Sequence, residues 1–160
     1  MASLVVPAVS KAVVRVGVGC FVTCADFPRK VLLGERMGSH GAGRLALPGG
    51  HLELGESWEA CATREVLEET NIAIDNVKFV GVTNDPCIDG DDTKHYITVF
   101  MHGKIAMDSG ELINMEPHKC KEWKWVDIDS LSAMSVTTPE LLFLPMVHFF
   151  QNHDGSFINS

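Results

Sequence analysis

Residues 50–72 read GHLELGESWEACATREVLEETNI, with six glutamates from Glu53 to Glu69 and a single arginine, Arg64. Ser57 suits an N-cap, and Glu56 and Glu59 suit the positive end of a helix of about 13 residues. That helix is expected to end near Thr70. Asn71 follows at C′, where asparagine is second only to glycine for a left-handed turn. At roughly 100° per residue, Glu65, Glu68 and Glu69 fall on one side of it, in the same arc as Trp58, Cys61 and Ala62. The carboxylates then share the face that ought to be buried. Ionised acids at this spacing repel one another and are costly to desolvate. A solvated acidic face is one answer; a divalent cation is another. Hard oxygen donors suit Mg²⁺, with Mn²⁺ as a substitute, better than zinc. Gly49, Gly50 and Gly55 permit close backbone approach ahead of the helix. Arg64 can grip one carboxylate in a bidentate pair.

Upstream, Ala12 to Val22 alternates and is rich in valine, which predicts a strand. Asp26 to Lys30 reads as a turn, Val31 to Gly34 as a second strand, residues 37–44 as a Gly-rich loop, and Leu45 to Pro48 as a short extended piece. Downstream, Val77–Thr83, His95–Met101 and Trp123–Val126 read as strands. A last helix is expected over about Pro139 to Phe150, with Pro145 a difficulty inside it. This order predicts an α/β (α+β) fold, a mixed β-sheet flanked by helices, in one domain spanning residues 1–160.

The whole chain has 160 residues, 13 Lys+Arg against 21 Asp+Glu, and a formal charge of −8. That balance disfavours binding to a nucleic-acid polymer or to an anionic membrane. A small phosphorylated partner stays open, because a metal ion inverts the local charge. The five cysteines (Cys20, Cys24, Cys61, Cys87 and Cys120) are odd in number and form no C-x-x-C pair. They read as reduced thiols. The apolar start, Met1 to Val9, is short, broken by Pro7 and without a basic front end. These features predict a cytoplasmic protein with no membrane segment.

Gly50-x5-Glu56-x7-Arg64-Glu65-Val66-x-Glu68-Glu69-x-Asn71-Ile72 resembles the Nudix box, G-x5-E-x7-R-E-U-x-E-E-x-G-U with U aliphatic. Eight of its nine specified positions match, and Asn71 stands where the family has Gly. Leu47-Pro48-Gly49-Gly50-His51-Leu52-Glu53 and Val31-Leu32-Leu33-Gly34-Glu35-Arg36 resemble the MutT-like branch. Asn114-Met115-Glu116-Pro117 and Glu122-Trp123-Lys124-Trp125 resemble family groups that act on modified nucleoside triphosphates and on geranyl diphosphate. The resemblance implies the Nudix α-β-α sandwich and a hydrolase of phosphoric anhydrides.

It also implies roles for particular residues. Glu65, Glu68 and Glu69, with the Gly50 backbone oxygen, would hold Mg²⁺. Arg64 would orient a carboxylate and Glu56 would act behind it. The general base is a box glutamate, Glu116 or Glu122. Arg36 would clamp phosphates. Leu47, Gly49, His51, Tyr96, Thr98, Phe143 and Leu144 would line the substrate site, with His95 on the same strand. The related groups carry Phe-Trp where Phe143-Leu144 stands, so stacking on a base should be weaker here. Trp123 and Trp125 read mainly as core or interface. The relatives are commonly homodimers.

The leading functional expectation is a pyrophosphohydrolase that converts canonical or oxidised (d)NTPs to monophosphate and pyrophosphate. The alternative is a hydrolase of a non-nucleotide diphosphate such as geranyl diphosphate, since Leu45, Leu47 and Leu144 would suit a greasy tail. A third reading, a non-catalytic phosphate-binding module, would be expected to have lost box acids, and all four are present.

Overall fold

The computed structural model describes residues 13–38 and 41–159. The apolar start, Ala12 and two residues of the Gly-rich loop lie outside them. The elements run β1 (Arg15–Thr23), β2 (Lys30–Arg36), β3 (Leu45–Ala46), β4 (Gly49–His51), α1 (Trp58–Thr70), β5 (Ile74–Asp85), β6 (Tyr96–Ile105), β7 (Cys120–Asp127), α2 (Ile128–Thr137) and α3 (Leu144–Asn152).

The sheet is mixed, with main path β3-β2-β1-β6-β5. β1 and β6 pair in parallel over nine positions, from Arg15↔Tyr96 to Thr23↔Lys104; the other ladders are antiparallel. β1 and β2 meet only at Thr23↔Val31. Beyond that point β1 pairs with β4 (Gly19↔Gly49) and β2 with β7. The two strands therefore part, and the opening between them becomes a cleft.

Alternation along the central strands divides the core into two layers. Val18, Cys20, Val22, Leu32, Val99 and Met101 pack with Cys61, Ala62 and Val66 of α1. Phe21, Val31, Leu33 and Phe100 face the other way, against Leu131 of α2 and Met146, Phe149 and Phe150 of α3. Strand side chains point to opposite faces in turn, so a run apolar at every position is what a sheet covered on both sides requires. The result is the expected α-β-α sandwich.

One expectation is corrected, and one helix is added to those expected. The stretch Pro139 to Phe150 is not one helix: a single 3₁₀ turn (Pro139–Leu141) precedes α3, which begins at Leu144. Pro145 then falls in the first turn of α3, where its missing N–H breaks no intrahelical bond. α2 was not anticipated. Its start is marked by Asp127, whose carboxylate accepts from the N–H groups of Asp129 (2.9 Å) and Ser130 (3.1 Å).

Candidate active site

α1 forms as its caps dictate. Ser57 Oγ accepts from Ala60 N–H at 3.1 Å. Asn71 adopts φ 60° and returns its N–H to Leu67 O. Cys61, Ala62, Val66 and Thr70 form the buried stripe. Trp58, expected in the same arc, is 42% exposed and packs against Phe79. The last carbonyls of α1 are satisfied by the loop between β6 and β7, as Ile113 N–H donates to Thr70 O and Met115 N–H to Glu69 O. That docking brings Glu116 towards the acids of α1.

Glu65 and Glu69 flank the buried stripe and converge on β4. Gly49 N–H donates to Glu69 Oε2 at 3.0 Å. A side chain at Gly50 would collide with the Glu65 carboxylate, and one at Gly49 with the Val18 carbonyl. Close backbone approach thus requires glycine at position 49, whereas a side chain at position 50 would displace the Glu65 carboxylate. Glu68 points elsewhere: its side chain is 58% exposed and it meets Arg64 at 3.4 Å. Among the described residues no three His, Cys, Asp or Glu side chains are gathered into a ready-made cage. The two acids that converge are Glu65 and Glu69.

Arg64 organises this corner. Its Nε and Nη2 donate to Glu56 at 2.8 and 2.9 Å, its Nη1 to Glu65 Oε1 at 2.7 Å, and Nη2 also to the His51 carbonyl at 3.3 Å. The guanidinium, helped by the Glu53 N–H, holds the Glu56 carboxyl down at about 2. Glu69 goes the other way. Burial pushes it up to about 7, Glu65 and Glu116 add to the rise, and the Gly49 N–H opposes it. Glu116 itself is paired with Lys119 at 2.7 Å. Glu122 pairs with Lys124 at 2.7 Å and lies outside the cavity.

The cleft between the parted strands is a cavity of about 620 Å³. Of the anticipated residues, Arg36, Leu47, Gly49, Gly50, His51, Glu65, Glu69, Tyr96, Thr98 and Phe143 line it. Arg36 sits 4.3 Å over the Phe143 ring. The Tyr96 hydroxyl accepts from Arg15 Nη1 at 3.3 Å and lies 3.1 Å from His51 Nε2. Leu144 opens α3 and is not on the wall, whereas Pro145 and Met146 are. Nor do Glu56, Arg64, Glu68 and Glu116 reach it. His95 turns to Asn84 Oδ1 at 2.6 Å.

Arg15, Lys119, Phe100, Trp123 and Cys120 also line the cavity and were not anticipated there. The register Arg15↔Tyr96 is what carries Arg15 in, and local sequence does not announce it. Trp123 packs on the first core as expected and also lines the cavity over Gly34. Trp125 stacks on Phe27. Burial raises the pKa of the Cys120 thiol, which disfavours the thiolate.

The chain and its fold have counterparts among known proteins. A family model described as the NUDIX domain matches residues 13–146. The oxidized purine nucleoside triphosphate hydrolase of Mus musculus is 43% identical over 142 residues, covering 79% of this chain and 83% of that protein. The zebrafish (Danio rerio) protein of the same name is 28% identical over 136 residues, with the same coverage. A MutT NUDIX hydrolase from Burkholderia pseudomallei aligns with TM-score 0.64 and 28% identity, over 72% of this chain and 84% of its own.

Proposed function

The chain belongs to the NUDIX family and is a hydrolase, and on that footing we propose that it is a Mg²⁺-dependent nucleoside triphosphate pyrophosphohydrolase. Canonical or oxidised purine (d)NTPs would be cleaved to monophosphate and pyrophosphate. The observation that carries this is the convergence of Glu65 and Glu69 on Gly49–Gly50 at the edge of the cavity. The names of the mouse and zebrafish relatives support the purine nucleotide class.

The donor set fits a hard divalent cation. Buried Glu69 keeps its proton to about 7; a cation beside it would offset the burial and draw that proton off. Glu65, Glu69 and the Gly50 carbonyl would hold the ion, which would neutralise charge on the polyphosphate. Glu68 lies nearby on the solvent side of Arg64. Arg64 holds the Glu65 carboxylate in place, with Glu56 fixing the far side of the guanidinium. Arg36 offers the cavity a cation for phosphate oxygens. A box glutamate that lines the cavity, or Glu116 once released from Lys119, would take a proton from the attacking water.

The test is to incubate the protein with Mg²⁺ and dNTPs, 8-oxo-dGTP or geranyl diphosphate, and to assay pyrophosphate against orthophosphate. Pyrophosphate from nucleotides is the expected outcome. Orthophosphate from geranyl diphosphate alone would favour the isoprenoid reading, to which the apolar wall of Leu47, Phe100 and Met146 lends some support. The homodimer and the cytoplasmic location belong to the same proposal. Sedimentation velocity and cell fractionation test them.

A further inference from the structure

Asp85 ends β5 opposite Tyr96, and its side chain is fully buried. Its Oδ2 accepts from Thr83 Oγ1 at 2.7 Å and from Thr98 Oγ1 at 2.8 Å. Its Oδ1 accepts from His148 Nδ1 at 2.7 Å. None of these groups serves the phosphate chemistry at Gly49–Gly50. A buried carboxylate costs several kcal/mol to desolvate, and an apolar residue would fill a core position more cheaply. Of the four residues, only Thr98 lines the cavity.

The chemistry of this arrangement has one sense. A carboxylate only accepts, and a hydroxyl has one hydrogen to give. Thr98 gives its hydrogen to Asp85. What it can offer the cavity is its lone pairs. Phe100, two residues on along the same face of β6, and Met146 present carbon to the cavity, so the acceptor stands beside apolar wall, with Tyr96 on its other side.

We infer that Asp85 is a positioning residue that sets substrate specificity, by holding Thr98 as a hydrogen-bond acceptor so that the cavity selects a base bearing an N–H donor. The inference rests on the nucleotide reading above and narrows it to bases with an amino or imino hydrogen facing this wall. A site that leaves a buried polar group unpaired rejects the analogue lacking its partner far more strongly than an apolar pocket rejects a missing methylene.

The test is kcat/KM with Mg²⁺ on dGTP, on dITP, which keeps the imino hydrogen but lacks the exocyclic amine, and on the deoxyribonucleoside triphosphate of unsubstituted purine, whose base carries neither an amino nor an imino hydrogen. Wild type is expected to show a spread of tenfold or more across the three. Thr98→Val and Asp85→Ala should both shrink it to within about threefold, chiefly through KM. Thr98→Ser should restore it. Thr83→Val removes the other hydroxyl from the same carboxylate oxygen without touching the cavity, and it should keep the spread. Thermal melts by circular dichroism establish that each variant is folded. If Asp85→Ala does not fold, the Thr98 pair decides the outcome. The inference is overturned by a wild-type spread below threefold, by an unchanged spread in Thr98→Val, or by an equal collapse in Thr83→Val. Absence of wild-type turnover on all three would instead defeat the nucleotide reading and the inference with it.

Discussion

Glu69 is the residue on which burial and charge are most at odds. It lies between a helix and a glycine strand, accepts one backbone N–H, and has Glu65 and Glu116 for neighbours. Replacing it by glutamine removes a buried acid and keeps the hydrogen bond from Gly49. The Glu69→Gln protein should therefore melt no lower than wild type in the absence of metal, while kcat/KM falls by roughly 10²–10⁴-fold. Wild-type-like turnover in this variant would remove Glu69 from the site. Wild-type affinity for Mg²⁺ should weaken as pH drops below about 7, since the carboxyl must lose its proton to bind. Calorimetry in two buffers of different ionisation enthalpy would count that proton.

At the scale of elements, α1 carries the acids of the proposed site, and its two ends hold it in register. Ser57 accounts for one of its orphan N–H groups, and Ser57→Ala should cost about 1 kcal/mol in chemical denaturation. A loss confined to stability, with kcat unchanged, is expected, because Glu65 and Glu69 sit about two and three turns further on. The other end shows why the departure from the family glycine is tolerated. Asn71 adopts the left-handed conformation and uses its side chain to donate to Glu111 O at 3.0 Å. It thereby helps anchor the loop that carries Glu116. A glycine there would be easier on the backbone but would give up that anchor.

For the whole molecule, stability is pooled from two core layers that share one sheet, and a buried histidine makes it pH-dependent. His102 lies on β6 beside Thr23 Oγ1 at 2.9 Å, and burial lowers its pKa from 6.5 to about 4, with Lys104 and Lys78 adding to the fall. The neutral form is the one the fold favours. Its contribution is complete above about 6.5, where the unfolded chain also carries neutral histidine. It is lost progressively as pH falls to about 4, by of the order of 2–3 kcal/mol. Denaturation midpoints of wild type and His102→Gln, compared across that window, should converge on acidification. Parallel curves would show that His102 does not set the slope.

How much of this was legible beforehand depends on the range of the interaction. The helix over 57–71, its caps, the Arg64–carboxylate pairing and the acids themselves follow from spacing within one segment, since a helix repeats every 3.6 residues wherever it packs. The divided core follows from alternation in β1, β2 and β6. What local sequence could not supply is which partner each strand takes. The parting of β1 from β2 makes the cavity. The parallel register with β6 brings Arg15 beside Tyr96 and Thr98 to the wall, and α3 sets His148 against Asp85 across 63 residues of chain. Glu65 and Glu69 had to be told from Glu68 by the position of β4, because a helix face is wide and only packing decides which part of it is covered. The acids were written in the sequence; their division into two that face the cleft and one that faces solvent is a property of the fold.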